Sequence, residues 1–163
     1  VGGLILSNKD RQIAELSELL KRRGAVLSAR NAALFCEQFS GNTEGTKSTS
    51  ENSTEDETGA GKGRGCNINV AFGAEAEDDE YVSRLAGVCE QIASFGPSMV
   101  IVSLGVDTYW NDPISDLALT TDGYRRCGEV VKQLGLPTLI LQEGGYDIEA
   151  IGRNVHAWIS PFA

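Results

Sequence analysis

MVIVSLGVDTYWNDPIS at 99–115 and LPTLILQEGGY at 136–146 are the two stretches that decide the fold of this chain. In each, a short apolar run without polar alternation stops at a glycine. A residue able to do chemistry follows, Asp107 in the first stretch and Tyr146 in the second. Unalternated apolar runs of this length are typical of buried parallel strands, whose carboxyl ends carry the functional site. The two stretches therefore predict buried parallel strands with a site at their carboxyl ends.

The segments around these strands predict a regular alternation with helices. A strand over 66–72 precedes a helix over 79–95. The next helix is expected to be capped by Thr121 or Asp122 and to be ended by Gly135 and Pro137. Asp147 is expected to cap a last helix that stops at Pro161. The positions predicted to face inward recur at helical spacing: Tyr81, Leu85, Val88, Ile92 and Phe95, then Tyr124, Cys127, Val131 and Leu134, then Ile148, Ile151, Val155 and Trp158. We expect an α/β fold with a partial parallel sheet and flanking helices.

The first 65 residues read differently. Over 1–39 we predict a helical segment of unclear relation to the rest, with one helix from Asn8 to Gly24 and a second over 27–39. Over 40–65 the sequence is low in complexity, acidic and rich in glycine, and it predicts a disordered or long exposed loop. The glycines at 59–65 precede a strand, whereas a phosphate-binding loop joins a strand to a following helix, so a nucleotide site is a poor interpretation.

Charge and cysteine spacing exclude several classes of protein. The net charge of −9 is concentrated at 40–58 and 74–80, and no basic stripe points to nucleic acid or a membrane surface. The cysteines never reach Cys-x-x-Cys spacing, which excludes a zinc ribbon and favours free thiols in a reducing compartment; they are Cys36, Cys66, Cys89 and Cys127. With no membrane span or signal peptide predicted, we expect a cytoplasmic or nuclear protein.

Three polar residues are candidates for the site. Asp107 and Asp112 follow a buried strand, where a carboxylate can bind a metal, act as a base or cap the next element. Tyr146 follows the paired glycines Gly144 and Gly145, which allow a tight turn and a close approach. The tyrosine could donate a hydrogen bond to a substrate oxygen or pack beneath the helix.

Taken together, three separated motifs resemble the histone deacetylase superfamily, and within it the acetylpolyamine amidohydrolases. The motifs are GKGRGCNINV at 61–70, SLGVDTYWNDPIS at 103–115 with Leu119-Thr120, and QEGGY at 142–146. They occur in the family's order, and the match covers about 58–159. The resemblance implies that 66–163 is the carboxyl-terminal part of a deacetylase-like domain with an arginase-like three-layer fold.

The resemblance also implies a role for each matching residue. Asp107 matches an aspartate ligand of a catalytic zinc, and Tyr146 matches the tyrosine that hydrogen-bonds the scissile carbonyl and then the oxyanion. Gly144 and Gly145 match the glycine loop that lines the acyl channel. The implied reaction is hydrolysis of an acetylated amine, either a polyamine or lysine, with zinc as the cofactor.

One departure from the family pattern limits this interpretation. The family's Asp-x-His and His-His pairs have no match, and the single histidine, His156, is expected to have a surface or capping role. A catalytic zinc normally has three protein ligands, so we expect this chain to be inactive alone, as a fragment, an incomplete gene product or a degenerate copy. The start at Val1 rather than Met favours that view. The alternatives are a noncatalytic binding module and, on the glycines alone, a nucleotide-binding half domain. A partial sheet also exposes an edge, which favours an oligomer or another partner.

Overall fold

The structure, a computed structural model, describes residues 24–28, 33–37, 58 and 67–163. Within these ranges it contains five strands and three helices, with a short 3₁₀ turn, Ser160–Phe162, after the last helix. The strands are β1 Gly24–Ser28, β2 Ala33–Glu37, β3 Asn67–Ile68, β4 Met99–Leu104 and β5 Thr138–Gln142. The helices are α1 Asp78–Phe95, α2 Thr121–Lys132 and α3 Ile151–Ile159. No described helix has the length and apolar character needed to cross a membrane.

The five strands form one sheet in the order β3-β2-β1-β4-β5. Strand β4 pairs in parallel with β1 on one side and with β5 on the other. The predicted α/β fold is confirmed, and β4 and β5 lie in the two apolar stretches that predicted strands. Because β4 and β5 are parallel neighbours, the loops that follow them leave the same edge of the sheet.

The amino-terminal part of the sheet corrects two predictions. The helix predicted over 27–39 is wrong, because β1 and β2 form an antiparallel pair there, with Leu27 opposite Leu34. Each strand is only five residues long, and β1 also pairs with β4, a partner that local periodicity cannot reveal. The strand predicted over 66–72 is the two-residue β3, and it pairs antiparallel to β2 rather than extending the parallel part of the sheet. The predicted helix over 8–24, apart from Gly24 at the start of β1, and the loop over 40–65, apart from Thr58, lie outside the described residues.

The hydrophobic core lies between the helices and β4. Four of the five positions predicted to face inward on α1 are buried: Tyr81, Leu85, Val88 and Ile92. Strand β4 is buried almost throughout, and Val100 is fully inaccessible to solvent. Gly96, with φ 69°, ends α1 by donating its N–H to the carbonyl oxygens of Ile92 and Ala93.

Two helix starts differ from the prediction. The N-cap of α2 is Thr120, one residue before the predicted cap, and its hydroxyl accepts a hydrogen bond from the N–H of Gly123. Helix α3 begins at Ile151, after a turn in which Asp147 Oδ1 accepts the N–H groups of Glu149 and Ala150. Ile148 lies in that turn and is 89% exposed, so its predicted inward position is wrong.

Candidate active site

Asp107 is buried in the loop that follows β4, with only 6% of its surface exposed. Two glycines leave the space that its carboxylate occupies. A Cβ added to Gly105 would lie 2.7 Å from Asp107 Oδ1, and one added to Gly144 would lie 2.5 Å from Oδ2. Side chains cannot approach so closely, so the position of this carboxylate depends on both residues being glycine.

A buried tyrosine supports the backbone on both sides of Asp107. The hydroxyl of Tyr124, from α2, donates to the carbonyl oxygen of Val106 at 3.0 Å and lies 2.8 Å from Thr108 Oγ1. Since the tyrosine has a single proton to give, the Thr108 hydroxyl donates to Tyr124. Burial raises the pKa of Tyr124 well above its usual value, so the phenol remains protonated and keeps its donor role.

Backbone hydrogen bonds join the loop after β4 to the loop after β5. The N–H of Glu143 donates to the carbonyl oxygen of Leu104, and the N–H of Val106 donates to that of Gly144, both at 2.8 Å. These bonds continue the pairing of the two parallel strands beyond their ends. The structure thereby brings Asp107 and Gly144 together.

Asp112 is the second buried carboxylate of this edge, with 5% of its surface exposed. Its Oδ2 accepts the N–H of Tyr146 at 2.6 Å and that of Asp147 at 3.2 Å, and its Oδ1 accepts the N–H of Ile114 at 3.2 Å. Of the three roles considered for this residue, the geometry supports that of a cap, since both oxygens bind backbone amides.

Tyr146 stands at the surface, with 53% of its area exposed. The preceding Gly145 has φ 139°, and a Cβ there would lie 2.6 Å from Val106 Cγ2, so both its conformation and its packing require glycine. The side chain of Tyr146 is therefore presented to solvent from a backbone that is closely packed beneath it. In this position its hydroxyl is accessible to a ligand.

A second bond links the two loops at the surface. Asn111 Nδ2 donates to Asp147 Oδ2 at 2.8 Å. This hydrogen bond is the main reason that the pKa of Asp147 is lowered, with the N–H groups of Ala150 and Glu149 adding to the effect. Asp147 is therefore charged at neutral pH, which strengthens its bonds to the turn before α3.

The described residues do not make a complete zinc site. Within the described ranges, no three His, Cys, Asp or Glu side chains come together in a way that could hold a metal ion. Asp107 offers one carboxylate, while His156 lies exposed on α3, in agreement with the surface role expected for it. Because a catalytic zinc takes three protein ligands, the residues present here do not fit that metal on their own.

Reasoning from the sequence missed the residues that hold the site in place. Tyr124 was predicted only as an inward-facing residue of α2, and Gly105 only as the end of a strand. The close contact of Gly105 with Asp107 could have been suspected from its place two residues before a buried carboxylate. The bond from Tyr124 to Val106 joins residues 18 apart and has no local signal.

Comparison with known proteins shows that the residues of this site lie within a known domain family. The family model of the histone deacetylase domain matches residues 50–161. Acetylpolyamine amidohydrolase 1 of Pseudomonas aeruginosa is 46% identical over 99 residues, which are 61% of this chain and 29% of that protein. Histone deacetylase 8 of Xenopus laevis is 38% identical over 96 residues, which are 58% of this chain and 30% of that protein.

Solved structures agree with the sequence relatives. The crystal structure of acetylpolyamine aminohydrolase from Burkholderia pseudomallei matches with a TM-score of 0.64 and 38% identity, covering 67% of this chain and 32% of that one. The HDA15 HD domain matches with a TM-score of 0.62 and 30% identity, covering 65% of this chain and 31% of that one. The chain thus spans about a third or less of the relatives it matches. The resemblance read from the motifs is confirmed, and the chain belongs to the histone deacetylase domain family.

Proposed function

We propose that this chain supplies part of the active site of a zinc-dependent deacetylase, which hydrolyses the amide bond of an acetylated amine. The observation that carries the proposal is the arrangement at the ends of β4 and β5. Asp107 is buried against Gly105 and Gly144, and Tyr146 stands exposed two residues beyond Gly144. A fixed carboxylate after one strand and a solvent-facing phenol after its parallel neighbour suit an acyl-transfer site.

In the proposed reaction Tyr146 is the oxyanion donor. Its exposed hydroxyl donates a hydrogen bond to the acetamide carbonyl oxygen, and the bond strengthens as negative charge develops there. Gly145 allows the backbone to pack closely against Val106, and Gly144 leaves space for the Asp107 carboxylate. In this proposal both glycines contribute by having no side chain, which leaves space beside the acyl group of the substrate.

Asp107 is proposed as one ligand of the zinc. The other ligands and the general base would come from polypeptide outside these 163 residues, since the only histidine, His156, is exposed on α3. When bound, zinc would supply Lewis-acid activation of the carbonyl and of a water molecule. We infer that the 163-residue chain alone is inactive.

The proposed substrate is an acetylated polyamine or an acetylated lysine. The relatives named as acetylpolyamine amidohydrolases are 38 to 46% identical to this chain over their matched parts, and those named as histone deacetylase 8 are 36 to 38% identical. This difference favours the small acetylated polyamine. Measuring acetate release from an acetylated diamine and from an acetyl-lysine peptide would decide between them.

The proposal is tested in the intact protein that carries this chain. We expect bound zinc, acetate release, and a turnover about 10² to 10³ lower in Tyr146→Phe, as for loss of one oxyanion donor. Tyr109→Phe is the matched control, because its hydroxyl accepts a hydrogen bond from Arg153 and is not offered to a ligand. Unchanged turnover in Tyr146→Phe would remove this residue from the mechanism.

A second candidate is a noncatalytic binding module that retains the fold. The lack of a three-ligand metal cluster among the described residues favours it. The two functions differ in zinc content and in acetate release, both of which the module would lack. For the 163-residue chain, acetate release with added zinc that Asp107→Ala abolishes would refute the inferred inactivity.

A further inference from the structure

Asp112 is a buried carboxylate that the proposed chemistry does not use. It lies five residues after Asp107, yet its Oδ2 accepts the backbone N–H groups of Tyr146 and Asp147, in the loop after β5. The N–H of Tyr146 donates to Asp112 Oδ2 at 2.6 Å. The side chain of Asp112 is thereby bonded directly to the backbone of the proposed oxyanion donor.

The position of Asp112 is itself fixed by its own loop. Its N–H donates to the carbonyl oxygen of Tyr109 at 2.9 Å, and its carbonyl oxygen accepts the N–H of Ser115 at 3.1 Å. Its Oδ1 accepts the N–H of Ile114, so neither oxygen can turn without losing a bond. Asp112 is therefore a rigid link from the loop after β4 to the loop after β5.

We propose that Asp112 is a positioning residue that sets the location of Tyr146, and so of its hydroxyl, relative to Asp107. The inference rests on the proposed function for its catalytic consequence, but the link itself is independent of it. The phenol of Tyr146 is exposed and gains little support from packing. Its location depends on the backbone beneath it, which packs against Val106 at Gly145 and is restrained by Asp112.

The substitution Asp112→Asn tests the link with little change of shape. An asparagine replaces one acceptor oxygen by an NH₂ donor, so one set of backbone N–H groups then faces another donor. Since the hydrogen bond of Tyr146 is used most in the transition state, its displacement should lower kcat and leave KM nearly unchanged. Asp116→Asn is the matched control, because Asp116 is exposed in the same loop.

The decisive measurement is a double-mutant cycle in the intact deacetylase. We expect Asp112→Asn to lower kcat by about 10-fold to 100-fold in the presence of Tyr146, as for a small misplacement of a catalytic group. In the Tyr146→Phe background the same change should lower kcat by less than about 2-fold, because the hydroxyl that it displaces is gone. Equal losses in both backgrounds would show a general structural role and overturn the inference.

A second readout separates this inference from the proposed function. Amide hydrogen exchange at Tyr146 and Asp147 should be faster in Asp112→Asn, while exchange at Gly123, which bonds to Thr120, should not change. If the wild-type protein releases no acetate, the proposed function fails, and exchange alone decides whether Asp112 restrains this loop. Unchanged exchange at both amides would overturn the inference whatever the activity.

A variant at the surface guards against a misfolded Asp112→Asn protein. Asn111→Ala removes the parallel bond from Asn111 to Asp147, and Asn111 is exposed, so the core stays intact. We expect a smaller fall in kcat that again disappears in the Tyr146→Phe background. If neither substitution depends on the Tyr146 hydroxyl, the two loops are not coupled through this link and the inference is wrong.

Discussion

The contact between Gly144 and Asp107 predicts a large effect from one added methyl group. In Gly144→Ala the new Cβ would lie 2.5 Å from Asp107 Oδ2 and 2.8 Å from its Cγ, and the three nearest atoms all belong to Asp107. The φ of Gly144 is not in the left-handed region, so alanine is compatible with the backbone. The whole cost of the substitution therefore comes from the carboxylate.

The magnitude follows from the burial of Asp107. With 6% of its surface exposed, the carboxylate cannot swing into solvent, and overpacking of this kind costs about 1 to 3 kcal/mol. Urea unfolding of the protein should show a lower midpoint with an unchanged dependence on urea concentration. Gly87→Ala is the control, since a Cβ there meets nothing within 4 Å and alanine in a helix interior should stabilise α1 by about 1 kcal/mol.

Repeating Gly144→Ala in a protein that lacks the Asp107 carboxylate tests whether that carboxylate is the source of the cost. In the Asp107→Ala background the three contacting atoms are absent. Gly144→Ala should then be neutral or stabilise by about 0.4 to 1 kcal/mol, as for a glycine replaced at a compatible site. A loss of the same size in both backgrounds would mean that the cost has another source.

Three further predictions concern the helices, each measured by urea unfolding. Thr120→Ala should cost about 0.5 to 2 kcal/mol through loss of the cap on Gly123, and Thr120→Ser should restore most of it. Gly128→Ala should cost about 1 to 3 kcal/mol, because its Cβ would lie 2.0 Å from the carbonyl oxygen of Trp158, where α2 and α3 approach most closely; an unchanged midpoint would refute that contact. Burial raises the pKa of Cys127 to about 12, so above the ordinary thiol pKa of about 8.5 the unfolded chain loses a proton that the folded chain keeps. The free energy of unfolding should therefore fall as pH rises from about 9 to 12, by at most about 1.4 kcal/mol per pH unit for this thiol, and the slope should be smaller in Cys127→Ser.

The elements with their own local signals were predictable from the sequence. Strand β4 is an apolar run with Ser103 as its one polar residue, and α1 carries its inward residues at helical spacing up to Gly96, so both elements follow from short-range rules. Strands β1 and β2 have five residues each, and their pairing with β4 and β3 is set by distant partners. That is why a helix was predicted where the chain forms two strands.

The candidate site divides in the same way. Asp107 and Tyr146 follow strands that the sequence predicts, so their positions near the strand ends could be predicted. Their roles in a reaction stay a prediction. The bonds that hold them connect residues far apart in sequence: Asp112 to Tyr146 is 34 positions, and Thr108 to Tyr124 is 16. Asp112 could be read only as a ligand, a base or a cap, since a carboxylate in a turn has the same local pattern in all three.

The contacts around Asp107 and Tyr146 indicate how this half of the site keeps its geometry. The carboxylate of Asp107 is confined sterically between two glycines, whereas the backbone of Tyr146 is held by a hydrogen bond to the buried Asp112. Both restraints, and the backbone bonds that join the loops, lie within 104–147. The relative placement of the two residues is thus built by one continuous segment. A ligand group supplied from elsewhere would meet a carboxylate already in position, and the cost of ordering that carboxylate would not fall on binding.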